Sequence, residues 1–187
     1  SGVLYQYNQS VKIYECPANM ATHLCPGTDV LKARQEYSAS GITSSSQLPQ
    51  VRTCSINYNL GGFHEGSDTL LNGDPPITKY NQIRSPNPGP AQMIVFCDEN
   101  EYSVDDGCFA MYLAGDPHNE WWNLPGSRHD NGTTWSFADG HVEYWKWHGS
   151  AVLKFRGPYQ DADPPPPAPG SSDDLSRVQA CFPPLRN

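Results

Sequence analysis

Apolar and polar positions alternate most clearly between residues 133 and 147, on either side of Asp139-Gly140. This dipeptide suits a two-residue type I′ turn, because both central residues of that turn need positive φ. The pattern therefore predicts a β-hairpin with strands at 133–138 and 141–147. Successive side chains of a strand point to opposite faces. The apolar side chains that we expect on the core face of the hairpin are Trp135, Phe137, Val142 and Tyr144.

Two further segments have the pattern of strands. Residues 52–59 alternate in polarity and are followed by a Gly-Gly pair. Residues 92–98 contain a continuous apolar run, which is typical of a central strand buried on both faces. Together with the hairpin they predict an antiparallel sheet of about four strands. The Pro- and Gly-rich stretches between them predict long loops.

Helices are predicted only near the two ends of the chain. Residues 1–11 carry apolar side chains at helical spacing. Consecutive prolines in 161–172 predict an extended linker. The tail 173–187 begins with an aspartate pair that suits the start of a short helix, which we expect Cys181 to hold against the head. The predicted fold is α+β, with residues 1–160 as a globular head, short terminal helices and the tail packed back on the head.

Composition narrows the classes of partner. The chain has 187 residues, enough for one domain with its own core, and a net charge of −8. No cluster of Lys and Arg is present, so nucleic acid is not an expected partner. The sequence contains no run of about 18 apolar residues that could span a bilayer. No signal peptide is visible in it.

The six cysteines form an even set without a Cys-x-x-Cys pair, which favours disulfides in an oxidising compartment over a zinc site. Sequence alone does not choose among the connectivities. We expect Cys16–Cys25 or Cys16–Cys54 near the start of the chain and Cys97–Cys108 across an acidic loop. The alternative is that some cysteines are buried thiols. The six candidates are Cys16, Cys25, Cys54, Cys97, Cys108 and Cys181.

The segment around the predicted hairpin resembles a family of bacterial proteins. His129, nine further residues and then Asp139-Gly140 are similar to the His-x9-Asp-Gly domain of prepilin-type, pseudopilin-like proteins. Residues 12–17, which end in Cys-Pro, resemble the opening of that domain. Residues 83–86, which lead through a strand to Asp98-Glu99, are similar to its middle part.

The resemblance implies a structural, non-enzymatic role. It implies the globular head of a pilin-like subunit, exported to the periplasm or cell surface, in an extracellular filament or a type II secretion pseudopilus. Its partners would be other pilin-like subunits, arranged helically. Members of this family begin with a long apolar helix that anchors them in the membrane, and this chain has none. We therefore expect either a head cut from a longer precursor or a helix supplied by another polypeptide.

The residues of the His-x9-Asp-Gly motif are the first candidates for chemistry. As a structural motif, His129, Asp139 and Gly140 would fix the preceding loop, with the imidazole bonded to the Asp139 carboxylate or to a turn carbonyl. A metal site of His129, Asp139 and His141 is the alternative, since iron and zinc accept such ligands. No Gly-x-Ser-x-Gly nucleophile motif and no phosphate-binding loop occurs in the sequence, so we do not expect an enzyme.

An acidic segment follows the predicted strand 92–98, and calcium is the only cofactor that it suggests. The segment supplies oxygen ligands of the kind that Ca²⁺ prefers, but its spacing is not that of an EF-hand. Calcium in the loops of major pseudopilins supports the idea by analogy. The alternative is a solvated loop tied by Cys97–Cys108. The candidate ligands are Asp98, Glu99, Glu101, Asp105 and Asp106.

Trp145 and Trp147 alternate on the less apolar face of the predicted hairpin. Exposed tryptophans can stack on sugar rings, so an extracellular carbohydrate-binding module is the alternative function. More often such residues fill a core or an interface.

Overall fold

The structure is a computed structural model, and part of the chain lies outside the residues that it describes. Most of the predicted N-terminal helix, nearly all of the proline-rich linker, Cys25, Asp105 and Asp106 are among the residues outside it. The described residues are 7, 9–19, 52–61, 76–83, 88–104, 107–117, 119–155 and 172–183.

A five-stranded sheet with short helices makes the fold α+β, as predicted. All four expected strands are present, in the spatial order β3-β1-β2-β4-β5. The number of strands was wrong, because a two-residue strand pairs in parallel with the first strand, and the sheet is therefore mixed. The remaining pairs are antiparallel. The strands are β1 Cys54–Asn57, β2 Ile94–Asp98, β3 Cys108–Phe109, β4 Gly132–Phe137 and β5 Val142–Lys146.

The helices are short. The helices with described bounds are two 3₁₀-helices, at Val11–Ile13 and Tyr80–Gln82, and two α-helices, α1, Ser150–Lys154, and α2, Ser172–Gln179. Helix α2 is the predicted C-terminal helix. Among the described residues, no helix combines the length and the apolar character that crossing a bilayer requires.

The C-terminal tail packs on the core. Its buried apolar side chains, including Leu175 and Val178, belong to the same cluster as those of the sheet. The carboxylate of Asp174 accepts hydrogen bonds from the backbone N–H groups of His148 and Gly149, at 2.9 and 2.7 Å. The start of α2 is thereby attached to the chain that follows β5.

Aromatic rings fill the centre of the core. The ring of Trp135 lies 5.6 Å from that of Phe109 and 6.1 Å from that of Trp147, both at nearly perpendicular angles. Such edge-to-face contacts favour a defined arrangement over simple apolar burial.

The turn of the hairpin differs from the prediction by one residue. The N–H of Phe137 donates to the carbonyl of His141, and the N–H of Gly140 donates to the carbonyl of Phe137, both at 3.0 Å. Gly140 alone carries positive φ here, +94°. The connection is therefore a three-residue loop, Ala138 to Gly140, with glycine at the left-handed position. The predicted two-residue type I′ turn was wrong.

A slip of one residue moves every side chain of a strand to the other face. Ser136 pairs with Val142, so Val142 and Tyr144 point outward and are 60% and 49% exposed. Trp145 and Trp147 take their place in the core and are 4% and 2% exposed. Of the predicted core face of the hairpin, only the β4 half, with Trp135 and Phe137, is confirmed.

Candidate functional site

The side chain of His129 does not meet Asp139. Its Nε2 lies 3.1 Å from Cys16 Sγ and 3.6 Å from Asp98 Oδ2. His129 precedes β4 and Asp139 follows it, so the two residues lie at opposite ends of that strand. The expected bond between imidazole and turn is not formed. His129 instead attaches the hairpin to the N-terminal segment and to the end of β2.

A tight turn places the side chain of His129 next to Cys16 and Asp98. Asp130 and Asn131 both have positive φ, 48° and 61°, and the N–H of Gly132 donates to the carbonyl of His129 at 3.0 Å. This is the geometry of a type I′ turn. The hydroxyl of Tyr144 donates to the carbonyls of His129 and Asp130, at 2.8 and 3.0 Å. Tyr144, exposed on β5, thus fixes the backbone that carries the imidazole.

Backbone contacts hold Cys16 in place. Its N–H donates to Thr53 Oγ1 at 2.7 Å. The N–H groups of Thr53 and Cys54 both donate to the carbonyl of Tyr14, at 2.8 and 3.2 Å. The segment around Cys16 is therefore bound to the start of β1.

The two carboxylate oxygens of Asp98 have different surroundings. Oδ1 forms an ion pair with the guanidinium of Arg128, which also pairs with Glu101 and donates to the carbonyl of Glu99. Oδ2 is buried, accepts no hydrogen bond from the described residues, and faces the imidazole of His129.

The guanidinium of Arg128 keeps its positive charge in the fold. Burial lowers the pKa of this guanidinium, but the attraction of Asp98 and Glu101 outweighs burial, and the net result is a raised pKa. One fixed positive charge therefore borders the cluster of Cys16, Asp98 and His129.

The described half of the candidate calcium loop does not form a cage of oxygens. Asp98 and Glu101 are drawn to Arg128, whereas the buried side chain of Glu99 accepts a hydrogen bond from Ser103 Oγ at 3.0 Å. Within the described ranges, these three carboxylates do not converge on one point. Asp105 and Asp106, the other two candidates, lie outside the described residues.

Trp145 and Trp147 are not available to a sugar. Both are core residues, and the guanidinium of Arg177 covers the ring of Trp145 at 3.8 Å. The indole N–H of Trp147 donates to the carbonyl of Gly126 at 2.9 Å. The register of β5 turns both residues inward, so they fill the core, which is the more common role considered from the sequence, and they do not form a stacking platform.

The expected disulfides are not formed among the described residues, where Cys16, Cys54, Cys97 and Cys181 carry free thiols. Burial, followed by the charge of Asp98, raises the pKa of Cys54. Burial, followed by the charge of Glu143, raises the pKa of Cys181 to about 11. Cys181 is a buried thiol and Cys54 a partly buried one, in line with the alternative to disulfides.

Asp139 finds its partner within its own turn. Its Oδ1 lies 2.6 Å from His141 Nδ1 and also accepts the backbone N–H of His141 at 3.1 Å. The side-chain bond is the largest cause of a lowered pKa for Asp139 and of a raised pKa for His141. The metal site predicted from His129, Asp139 and His141 is therefore not assembled.

The cluster of Cys16, Asp98 and His129 was not predicted. Each residue comes from one of the three segments that carry the family resemblance: the Cys-Pro opening, the Asp-Glu pair and the His-x9-Asp-Gly motif. Their position in these three segments is the signal in the sequence that could have indicated the cluster. The chain matches no protein-family model, no curated protein and no solved structure.

Proposed function

We propose that this chain is the globular head of a pilin-like or pseudopilin-like subunit, a structural component of an extracellular filament or a secretion pseudopilus. The proposal keeps the role implied by the sequence resemblance. The single observation that carries it is an exposed apolar surface on the sheet, of the kind that subunits bury between them.

This surface, the outer face, lies across three strands. Phe96 on β2 pairs with Ser136 on β4, which pairs with Val142 on β5, so these side chains form one row. Thr134 and Tyr144 form the next row. Phe96, Val142 and Tyr144 are about half exposed or more. Clustered exposed apolar groups on a soluble head mark sites of association more often than single ones do.

The polar interior supports a structural role as well. Its side chains fasten loops to the sheet: Asn57 Nδ2 donates to the carbonyl of Ile94 at 2.8 Å, and Asn123 bonds the backbone of both Ala110 and Ser103. A buried polar group is stable only when it is satisfied in this way. Such fastening gives the rigid head that a repeating assembly needs.

The test compares two lysine substitutions in cells that express the complete gene. Val142→Lys places a charge on the outer face, whereas Ile13→Lys places one on the 3₁₀-helix at residues 11–13, where the apolar side chain is 58% exposed. We expect the unaltered protein in the sheared filament fraction. We expect about tenfold or greater loss for Val142→Lys, since burying an unpaired charge costs more than the ~1.4 kcal/mol that this factor represents.

Far-UV circular dichroism of both purified variants controls for folding. Equal loss in the two variants, or a protein that is absent from the filament fraction altogether, would refute the proposal.

A further inference from the structure

We propose that Cys16 Sγ, Asp98 Oδ2 and His129 Nε2 bind a divalent transition-metal ion, with zinc as the best match. This site goes beyond the proposed filament role and does not depend on it. It also differs from the metal site considered from sequence, since neither Asp139 nor His141 takes part.

The three ligand atoms are already close to the separations that a zinc ion requires. Zinc bonds of about 2.0–2.3 Å in tetrahedral geometry place neighbouring ligand atoms roughly 3.3–3.7 Å apart. Here the sulfur and the imidazole nitrogen are 3.1 Å apart, and the nitrogen and the carboxylate oxygen are 3.6 Å apart. All three atoms lie within 4.8 Å of one another. An ion therefore needs only small side-chain shifts to enter.

An unsatisfied oxygen points to a missing partner in this place. The side chain of Asp98 is only 10% exposed, and Oδ2 accepts no hydrogen bond from any described residue. A buried acceptor without a partner is costly. A cation between Asp98, Cys16 and His129 would remove that cost. Arg128 holds the other oxygen of Asp98, as the outer-shell partner of a metal-binding carboxylate commonly does.

The charges at the cluster match a divalent ion. A metal displaces the proton of a cysteine that binds it. With Cys16 as thiolate, the negative charges are those of Cys16, Asp98 and Glu101, and the positive charge is that of Arg128. Three negative charges and one positive charge leave two negative charges. An ion of charge +2 makes this group neutral.

The types of ligand select the class of metal. Thiolate and imidazole favour zinc and related transition ions over calcium or magnesium, which prefer oxygen. The side chain of His129 is 42% exposed, so solvent reaches the cluster and water can complete the coordination. Bound metal would join the N-terminal segment to β2 and to the hairpin, across 113 positions between Cys16 and His129.

The experiment adds Co²⁺ to the metal-free purified protein, kept reduced with a phosphine, and then competes it with Zn²⁺. A cobalt–thiolate bond gives charge-transfer absorption in the near ultraviolet, and Zn²⁺ removes it. We expect one ion per chain and a rise in the unfolding temperature with zinc. Cys16→Ser should abolish the absorption band. His129→Gln should weaken cobalt binding by about 100-fold or more. Loss of an outer-shell partner already weakens metal binding by up to about 100-fold, and His129 would bind the ion directly.

Two matched variants serve as controls. His141→Gln alters the other imidazole that lies beside an aspartate, 2.6 Å from Asp139, and Cys54→Ser removes a neighbouring thiol. Both should bind cobalt as the unaltered protein does. His129 is partly exposed, so its variant tests the site even where Cys16→Ser fails to fold. The proposal is overturned if no thiolate band appears, if His129→Gln binds normally, or if His141→Gln loses the ion.

Discussion

The register of the hairpin can be tested by comparing Trp145→Ala with Val142→Ala. In the structure Trp145 is a core residue, 5.6 Å from the ring of Trp135, and Val142 lies on the outer face. A two-residue turn at 139–140 would exchange these environments, because it shifts β5 by one residue. The two substitutions therefore separate the two registers by their effect on the free energy of unfolding.

The expected magnitudes differ several-fold. Removing a buried tryptophan side chain costs about 3–5 kcal/mol. The stacked guanidinium of Arg177 adds about 0.5–1 kcal/mol to the loss for Trp145→Ala. Val142→Ala removes an exposed side chain without a partner in the core, and such changes stay within about 0.5 kcal/mol. Since a domain of this kind is stable by about 5–15 kcal/mol, Trp145→Ala should be severely destabilised.

Urea unfolding followed by far-UV circular dichroism measures both values without depending on the fluorescence of the removed indole. Equal slopes of unfolding free energy against urea would show that the two variants unfold to similar states. The reasoning fails if Val142→Ala loses more than about 1 kcal/mol while Trp145→Ala loses less than that.

Further outcomes follow from the contacts of the hairpin. Gly132→Ala would bring the new Cβ within 2.5 Å of the Trp145 carbonyl oxygen and into the ring of Tyr144. We therefore expect the free energy of unfolding, measured in urea, to fall by about 1–3 kcal/mol. An unchanged urea midpoint would contradict this expectation. NMR titration should place the pKa of His141 above 6.5 and that of Asp139 below 3.8. The raised pKa of His141 contributes stability that is complete below pH 6.5 and is lost as the pH rises through the pKa of His141 in the folded protein. The lowered pKa of Asp139 contributes stability that is present above pH 3.8 and is lost as the pH falls through the pKa of Asp139 in the folded protein. Asp139→Asn should lower the pKa of His141, while Glu143 continues to raise it.

The strands were predictable where local pattern determines them. The apolar run of β2 and the alternation in β4 identify those strands without tertiary information. The loop length was not predictable, because Asp139-Gly140 suits both a two-residue turn and a three-residue loop that ends in left-handed glycine. The area that the β5 side chains bury decides between these two loop lengths. The observed register places two indoles, Trp145 and Trp147, in the core, and aromatic side chains of this size contribute more buried area than valine and tyrosine.

The smallest strand lay beyond sequence reasoning for a different reason. Strand β3 has only two residues, and its parallel pairing joins Ile56 to Cys108 and Asn57 to Phe109. A pattern of two residues carries no period. Its existence depends on tertiary contacts of the loop, including the hydrogen bond from the N–H of Tyr58 to the carbonyl of Phe109 at 3.1 Å.

Two described carboxylates of the acidic loop, Asp98 and Glu101, pair with a cation that is distant in sequence. Arg128 comes 27 positions after Glu101 and 30 after Asp98, yet its guanidinium binds both carboxylates. A count of charges along the sequence suggests a site for a hard cation, whereas in the fold Asp98 and Glu101 already pair with Arg128. The same ion pair turns the second oxygen of Asp98 toward His129.

The spacing of the His-x9-Asp-Gly motif now has a physical explanation other than contact. Between His129 and Asp139 lie a type I′ turn and the six residues of β4, whose length is about 20 Å. A strand of fixed length places the imidazole at one end of the hairpin and the loop at the other. Each end then meets different partners: His129 meets Cys16 and Asp98, and Asp139 meets His141. The nine residues between His129 and Asp139 therefore reflect mainly the length of β4. His129 contacts Cys16 and Asp98, which lie outside the motif.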